Sequence, residues 1–350
     1  MRLSDFDYHL PPELIAQRPP EARDGGRLML LDRQTEGVSH HDIADLPRLL
    51  PRRSLLVVND SRVIPARVIC RRETGGRVEL LLLERLDADA AGELAPALQV
   101  GREAWWSMAR SSKALRPGER LAVGDEPDAS SPRVTMLTRP ASGRCLVSAP
   151  AGLAAHHGAV PLPPYIRRPA DEHDLRRYQT VYAREEGSVA APTAGLHFTD
   201  ALLGQVTDAG HQRASVTLHV GPGTFVPVRT EDVNDHRMEE ERYEVPQATA
   251  RAIDAARQQQ GRVVAVGTTV VRTLESTAGQ PGSGRTDLFI RPGHRFAAVD
   301  ALLTNFHLPG STLLMLVAAL AGRERMLAAY DEAVAQRYRF YSYGDAMLIL

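Results

Sequence analysis

Lysine is almost missing from this chain, because only one of its 42 lysine and arginine residues, Lys113, is a lysine. A phosphate-binding loop of the GK[ST] type needs a lysine directly after a glycine, so that class of nucleotide hydrolase is excluded. Chemistry through a lysine Schiff base would have to use Lys113, which lies in a turn-rich stretch before Pro117-Gly118. Lys113 is therefore a poor candidate for an activated lysine.

Cysteines, long apolar runs and net charge are scarce as well. The two cysteines, Cys70 and Cys145, lack C-x-x-C spacing and predict free thiols in a reducing compartment. Acidic residues stand near the amino terminus where a signal peptide needs an apolar core. The longest apolar run, 313–321, is far shorter than the roughly 20 residues of a membrane span. We therefore expect a cytoplasmic protein, and its net charge of −1 means that any contact with RNA needs a local basic patch.

A change in periodicity divides the chain into two parts. Between residues 61 and 149 short β-type segments replace helical periodicity, and they cover 63–69, 78–83, 105–108, 120–123, 134–137 and 145–147. Six short strands at this spacing predict a small all-β barrel. Strands alternate with helices on both sides of it. We predict an α/β fold whose mixed α/β main domain, barrel-like or open-sheeted, comprises 1–60 and 150–350, with the six-stranded barrel of 61–149 inserted.

Three loops combine glycine, proline, histidine and threonine where a core would need aliphatic side chains. They are 191–199, 218–225 and 304–309, and each adjoins a predicted strand. Glycine and proline fix backbone paths, whereas histidine and threonine supply hydrogen-bond donors and acceptors. Because α/β proteins carry their chemistry on loops at strand ends, we interpret the three loops as the rim of one active site.

Eight stretches in a fixed order carry a resemblance that covers nearly the whole chain. They are 57–63, 161–166, 178–182, 191–199, 219–225, 267–269 with 272–275, 304–309 and 341–347. In this order they resemble the S-adenosylmethionine:tRNA ribosyltransferase-isomerase family of queuosine biosynthesis. One position departs from the family's usual His-x-Met-His-x-Glu, because 236–241 places Glu239 where the second histidine stands. We expect that position to be supporting, with His236 and Glu241 carrying whatever the motif does.

The resemblance implies a reaction and its partners. Members of the family transfer and isomerise the ribosyl part of S-adenosylmethionine onto the aminomethyl group of 7-aminomethyl-7-deazaguanine at the tRNA wobble position. The products are epoxyqueuosine-tRNA, adenine and methionine. The implied partners are S-adenosylmethionine, consumed as a substrate, and a tRNA with a GUN anticodon. No metal or bound coenzyme is expected, no membrane is involved, and we expect a monomer.

That reaction needs a base, since the sulfonium acidifies the C5′ hydrogens of the ribose. Histidine titrates near neutral pH and suits the role, so His219, His307 and His197 are candidates. For each histidine the alternative is a structural side chain that hydrogen-bonds the backbone of a tight loop. Glu241 and Asp345 are rival bases, and the alternative for them is a solvated or capping carboxylate.

Substrate binding suggests a further set of residues. Arg272 could hold the methionine carboxylate with Glu275 beside it at i+3, or the two could be a helix-surface ion pair. Asp60 could bind a ribose hydroxyl or cap its turn, and the glycines of 221–223 could let the backbone approach a ligand or form a plain turn. The other candidates are Arg62, Thr193, Gly195, Gly221, Gly223, Thr224, Thr268, Thr269 and Asn305.

A basic and aromatic segment is the candidate tRNA contact. Arg167 and Arg168 would bind phosphates, and Tyr165, Tyr178 and Tyr182 would stack on unpaired anticodon bases. The alternative is a solvated basic face.

Two other functions stay open at this point. An S-adenosylmethionine-dependent RNA methyltransferase is disfavoured because no glycine-rich nucleotide loop follows the first strand. A non-catalytic RNA-binding module is disfavoured by the near-zero net charge and the histidine-bearing loops.

Overall fold

The computed structural model describes residues 1–35, 37–86, 101–141, 143–225, 228 and 230–350. Its strands are β1 (Arg27–Leu31), β2 (Val38–Asp42), β3 (Leu55–Asn59), β4 (Ser61–Val63), β5 (Arg67–Arg72), β6 (Arg77–Arg85), β7 (Arg102–Ser111), β8 (Arg120–Val123), β9 (Arg133–Met136), β10 (Arg144–Pro150), β11 (Glu185–Ser188), β12 (Gln212–Leu218), β13 (Glu241–Val245), β14 (Val263–Val266), β15 (Gly282–Thr286), β16 (Ala301–Asn305) and β17 (Ala346–Ile349). Its helices are α1 (Leu46–Leu49), α2 (Leu153–His157), α3 (Glu172–Arg177), α4 (Asp200–Asp208), α5 (Gln247–Gln258), α6 (Thr268–Thr277), α7 (Thr312–Ala321) and α8 (Arg323–Ala335).

The main domain is built on an open sheet with the strand order β15-β13-β12-β3-β14-β16-β17-β1-β2. The central strands β12, β3, β14 and β16 run parallel, so their carboxyl ends lie at one edge. Residues of α5 to α8 pack on one face of the sheet and residues of α1 and α4 on the other. Strand β3 sends Leu55 and Val57 into the first core and Leu56 and Val58 into the second. This two-sided burial explains its uninterrupted apolar sequence.

The inserted part is a closed antiparallel barrel with the order β10-β7-β6-β5-β8-β9. Closure leaves no unpaired strand edge. Val68, Leu80, Leu121 and Val134 belong to its buried core. The predicted fold class, an α/β domain with a six-stranded barrel, is confirmed, and the main sheet is open rather than barrel-like. The exact domain boundaries stay a prediction.

Both cysteines lie in the barrel core and are free, as the sequence predicts. Burial raises the pKa of the Cys70 thiol to about 12 and that of Cys145 to about 11. Because the thiolate is the reactive form, both cysteines are unreactive near neutral pH. In the described ranges no helix is long and apolar enough to cross a membrane.

The predicted strand over 63–69 was wrong in its extent, because it is two strands. Strand β4 ends at Val63 and β5 begins at Arg67. Pro65 lies between them and has no N–H for a ladder hydrogen bond. Strand β4 does not enter the barrel and instead pairs in parallel with β11.

The chain leaves the barrel through a close backbone contact at Gly158. The next residue, Ala159, exchanges two backbone hydrogen bonds with Arg67, of 2.8 and 3.1 Å. A Cβ atom at position 158 would lie 1.7 Å from the carbonyl oxygen of Pro65 and 2.5 Å from that of Ala154. Only glycine therefore fits where the two domains join.

We predict that Gly158→Ala lowers the free energy of unfolding by about 2–4 kcal/mol, because rigid backbone must move to admit the methyl group. Urea unfolding monitored by circular dichroism measures the change. The control is Gly204→Ala in α4, where a Cβ meets nothing within 4 Å. It should stabilise the helix by about 0.5–1 kcal/mol. An unchanged urea midpoint for Gly158→Ala would contradict this close contact.

Candidate active site

The candidate loops start at the edge of the sheet where the four central parallel strands end. Strand β12 leads into His219, β14 into Gly267 and β16 into His307. The 3-10 turn Thr193–His197 packs against β16. The structure thus brings the three loops together, as the sequence predicts, because parallel strands deliver their carboxyl ends to one side.

Two adjoining cavities open at this edge. A wide cleft of about 430 Å³ lies between the barrel and the main domain, with β6 and β7 on one wall and β11, β13 and the loop after β12 on the other. A small cavity of about 60 Å³ is lined by the loops after β14 and β16. Val220 lines both. The single rim expected from the sequence therefore surrounds two compartments.

The predicted site residues divide between these compartments. The wide cleft is lined by His219, Gly221 and Glu241. The small cavity is lined by Tyr165, Thr193, Thr268, Thr269, Asn305 and His307. The other candidates lie outside both linings, and the side chain of Thr224 falls outside the described part of the structure.

His219 faces the wide cleft from the end of β12. Its Nδ1 is buried and has no hydrogen-bond partner among the described residues. Burial, and then the nearby Arg242, lowers the pKa of His219 from 6.5 to about 4. The imidazole is therefore neutral near pH 7 and able to accept a proton.

A β-bulge at Gly187 makes room for that imidazole. The pairing of β11 with β4 shifts register between Glu186 and Ser188. Gly187 adopts a φ of +139°, and a Cβ there would lie 2.7 Å from Nδ1 of His219. Glycine is required on both grounds. The sequence analysis missed this residue, although a glycine inside a short strand is a signal for a bulge.

His307 lines the small cavity and is held by neighbouring side chains. Its Nε2 lies 2.8 Å from Oγ1 of Thr304. Its backbone N–H donates to the hydroxyl of Tyr330, at 3.1 Å, and its carbonyl accepts from Tyr8, at 2.5 Å. Burial lowers its pKa to about 3. His307 is thus a neutral imidazole in a fixed orientation.

His197 lies next to the small cavity rather than on its surface. Its Nε2 accepts a hydrogen bond from Nδ2 of Asn305, at 3.2 Å. Burial lowers its pKa to about 4, against the opposing effect of Asp345. Asn305 also donates to the carbonyl of Tyr341, at 3.1 Å. The donor side of the Asn305 amide is thus occupied, whereas its buried Oδ1 has no partner in the described ranges.

Glu241 and Arg272 form a buried ion pair with each other. Arg272 also donates to the carbonyls of Leu288, at 3.0 Å, and Thr286, at 3.3 Å. The other carboxylate oxygen of Glu241 accepts the amide N–H of Gly221, at 2.9 Å. These contacts favour structural roles for both side chains, and binding of a substrate carboxylate by Arg272 and a base role for Glu241 stay predictions.

Glu275 does not pair with Arg272, contrary to the expected i,i+3 contact. Its carboxylate accepts the backbone N–H groups of Ala297, Ala298 and Val299, at 2.9, 3.0 and 3.0 Å. Those bonds fix a loop outside both cavities. These contacts favour a structural role for Glu275, and its part in substrate binding stays a prediction.

Asp345 and Asp60 are likewise occupied by protein groups. Asp345 accepts the N–H groups of Arg27, at 3.1 Å, and Arg339, at 2.8 Å. Asp60 accepts from Oγ1 of Thr217, at 2.7 Å, and pairs with Arg184, at 3.0 Å. These contacts favour the capping alternative that the sequence left open, and the base role of Asp345 and the ribose contact of Asp60 stay predictions.

Close packing explains two more of the candidates. A Cβ at Gly195 would lie 2.2 Å from the Tyr182 hydroxyl, so this glycine serves packing. A Cβ at Gly223 would lie 3.0 Å from Glu239. Arg62 donates to the carbonyl of Ala183, at 2.7 Å.

The tRNA segment is more buried than the sequence suggests. Arg168 binds Asp174 through two hydrogen bonds of 2.6 and 2.8 Å. Tyr178 is only 1% exposed, and the hydroxyl of Tyr182 is buried. Tyr165 places its hydroxyl 2.5 Å from Oγ of Ser342 and lines the small cavity. These contacts and this burial favour structural roles for the four residues, and their phosphate and stacking contacts stay predictions.

Arg167 alone of that set is exposed. It stays a predicted phosphate contact. Within the described ranges no cluster of three or more histidine, cysteine or acidic side chains could hold a metal ion.

The family departure at Glu239 lies on the rim of the wide cleft. Glu239 pairs with Arg144 of the barrel, at 3.0 Å. A second pair, Arg285 with Glu84, also joins the barrel to the main domain, at 2.7 Å. Both pairs are partly exposed and contribute little stability each.

The fold and site together define a class of protein: an α/β domain whose sheet edge faces an inserted β-barrel across a ligand-sized cleft. A family model described as "Queuosine biosynthesis protein" matches residues 3–349. The chain belongs to this family.

Similar proteins cover the whole chain. A protein of Anaeromyxobacter dehalogenans (strain 2CP-C), named S-adenosylmethionine:tRNA ribosyltransferase-isomerase, is 53% identical over 100% of this chain and 99% of its own length. One of the same name from Geotalea uraniireducens (strain Rf4) is 49% identical over 100% of both chains. The crystal structure of S-adenosylmethionine tRNA ribosyltransferase from Thermotoga maritima is 38% identical with a TM-score of 0.55, covering 99% of this chain and 100% of that one.

We predict that Arg272→Met lowers the free energy of unfolding by about 3–5 kcal/mol, because it leaves the Glu241 carboxylate buried without a partner. The double variant Arg272→Met with Glu241→Leu should recover most of that loss, since no buried charge remains. Arg285→Met, which removes a partly exposed pair, is the control and should cost less than about 1 kcal/mol. Urea unfolding provides all three values. Equal effects of Arg272→Met and Arg285→Met would contradict the buried pair.

Proposed function

We propose that this protein is a tRNA-modifying ribosyltransferase-isomerase. It transfers and isomerises the ribosyl moiety of S-adenosylmethionine onto 7-aminomethyl-7-deazaguanine at the tRNA wobble position, giving epoxyqueuosine-tRNA, adenine and methionine. The observation that carries the proposal is the similarity, over the full chain and at about 50% identity, to proteins named for this activity. The arrangement of polar loops at the sheet edge is consistent with such chemistry.

The reaction centre in this proposal lies where the two cavities meet at Val220 and Gly221. His219 is the proton acceptor, because it is a neutral imidazole on the wide cleft and no side chain among the described residues hydrogen-bonds it. His307 is a poorer base, since Oγ1 of Thr304 already engages its Nε2. The sulfonium makes the neighbouring C5′–H acidic. The imidazole of His219 accepts this proton as the ylide forms.

In this proposal the small cavity binds one polar end of S-adenosylmethionine, because about 60 Å³ is too small for the whole molecule. The buried Oδ1 of Asn305 accepts no hydrogen bond from the described residues, and a buried acceptor without a donor is destabilising. An N–H group of the substrate would satisfy it. Thr193, Thr268 and Thr269 lie on the same lining.

The remaining parts of the proposal concern partners. S-adenosylmethionine is consumed as a substrate, with no bound coenzyme or metal. The RNA substrate is a tRNA with a GUN anticodon. The protein works in the cytoplasm as a monomer.

The activity is tested by incubating the protein with S-adenosylmethionine and tRNA bearing 7-aminomethyl-7-deazaguanine, followed by chromatography of the small molecules. Free adenine with methionine supports the proposal. S-adenosylhomocysteine would identify a methyltransferase. Bound tRNA without turnover would identify a binding module.

We predict that His219→Ala lowers single-turnover adenine release by about 10²–10⁴-fold, as expected for loss of a general base. Affinity for tRNA should stay unchanged. The exposed His173→Ala is the matched control. Because the pKa of His219 is lowered to about 4, the basic form persists on acidification. The wild-type rate should therefore hold between pH 8 and 6 and fall only as the pH approaches 4. A half-maximal rate near pH 6.5 would contradict the assignment.

A further inference from the structure

The wall of the wide cleft that the barrel supplies carries an exposed aromatic surface. Trp105 and Trp106 on β7 both line the cleft. Trp106 is 37% exposed, although a tryptophan gains most from burial. Trp105 is oriented by its indole N–H, which donates to Glu103 at 3.1 Å. An exposed indole on a cleft wall is a stacking surface for a flat ring.

A bulge in the barrel turns this wall toward the cleft. Strands β6 and β7 shift register between Leu82 and Glu84, so that Leu83 is an extra residue and Glu84 stands opposite Trp106. Bulges of this kind re-aim side chains next to functional sites. Leu83 and Glu84 both line the cleft. The bulge at Gly187 on the opposite wall lines the same cleft.

The charges of the cleft favour a cation over a phosphate. Three pairs of lining residues neutralise one another, namely Arg85 with Glu103, Arg144 with Glu239 and Arg285 with Glu84. Glu241 is neutralised by Arg272. Among the described lining residues, Glu186 and Glu240 are left without an ion pair, against a single such arginine, Arg242. Two carboxylates without an ion pair in the described ranges therefore line the same cleft as the exposed indole of Trp106.

We infer that this cleft is the subsite for the wobble nucleobase, with its ring stacked on Trp106 and its aminomethyl ammonium group held by Glu186 and Glu240. The inference rests on the proposed function, which supplies a flat purine-like ring with a primary amine. Anticodon bases are unpaired and can be turned outward into such a cleft. Phosphates would be repelled by the same carboxylates, so the RNA backbone lies outside.

The subsite also explains how the protein would distinguish tRNA carrying the aminomethyl base from tRNA carrying guanine. Guanine has a similar flat ring face for stacking but no ammonium group for the carboxylates. A tRNA that still carries guanine at the wobble position would gain the stacking contact only. Glu186 and Glu240 are thus specificity-determining residues, whereas Trp106 serves any purine-like base.

Tryptophan fluorescence tests this without a label, because Trp105 and Trp106 are the only tryptophans in the sequence. The protein is titrated with an anticodon stem-loop RNA carrying 7-aminomethyl-7-deazaguanine, and with the same RNA carrying guanine. We expect saturable quenching by both, and tighter binding of the modified RNA. The double variant Glu186→Gln with Glu240→Gln should bind the modified RNA about tenfold more weakly, as loss of charged hydrogen bonds requires. Its affinity for the guanine RNA should not change.

Two further variants complete the test. Trp106→Leu should weaken the binding of both RNAs about tenfold, because the stacking contact is lost. The readouts are the emission of Trp105 and filter binding. Glu244→Gln, an exposed substitution on β13 outside the cleft lining, is the control and should change neither. The inference would be overturned if the double glutamine variant bound both RNAs equally more weakly. It would also be overturned if tryptophan emission of the wild-type protein stayed unchanged at saturating RNA.

Adenine release is measured in parallel with wild-type protein. If adenine forms but the emission of the two tryptophans does not respond to RNA, the subsite is wrong and the proposed function stands. If the modified RNA binds selectively through the carboxylates but no adenine forms, the subsite stands and the proposed function fails.

Discussion

The buried carboxylate of Glu241 joins two parts of the site that are far apart along the chain. One of its oxygens accepts the amide N–H of Gly221 in the loop after β12, and the other pairs with Arg272 on α6. Arg272 in turn donates to the carbonyls of Thr286, at the end of β15, and of Leu288, just after that strand. A buried pair of this kind adds little net stability compared with apolar side chains, but it penalises every arrangement that leaves one charge alone. We interpret it as the contact that fixes the position of the loop between the two cavities.

The second wall of the site depends on the barrel. Parallel strands bring His219 and His307 to one edge of the sheet, but a sheet edge alone is open to water. The barrel covers it with β6 and β7 and leaves the wide cleft between. The two bulges, at Leu83 and Gly187, lie on opposite walls and place Glu84, Trp106 and His219 around that cleft. Glu239 stands where the family usually has a histidine. In this chain its carboxylate pairs with Arg144 of the barrel, and this pair accommodates the glutamate.

Much of the fold could be predicted from the sequence, because local patterns encode it. Strand β3 reads as a continuous apolar run since it is buried on both faces, and the short alternating segments of the barrel reflect one buried face. The convergence of the candidate loops also followed, since each loop comes after a strand. The single strand predicted over 63–69 is wrong, because Pro65 interrupts pairing and separates β4 from β5.

The fate of individual polar side chains could not be predicted in the same way, because their partners are distant in sequence. The sequence suggests that Arg168 is available for phosphate, because it does not show that the folded chain places Asp174 against this arginine. Asp174 is also held by the hydroxyl of Tyr343, which lies 169 positions away. Trp106 and Gly187 were missed, although two adjacent tryptophans in a chain with no others are an unusual feature. Charge and residue type alone do not tell a buried partner from an exposed ligand.

The claim that Glu241 and Arg272 position the loop after β12 is tested most directly by the activity of a protein that folds without them. Single-turnover adenine release is measured for the double variant Glu241→Leu with Arg272→Met, under conditions where circular dichroism shows it to be folded. The account predicts a loss of about a hundredfold or more, because a misplaced reacting group is costly even in an intact fold. A folded double variant that releases adenine at the wild-type rate would contradict it.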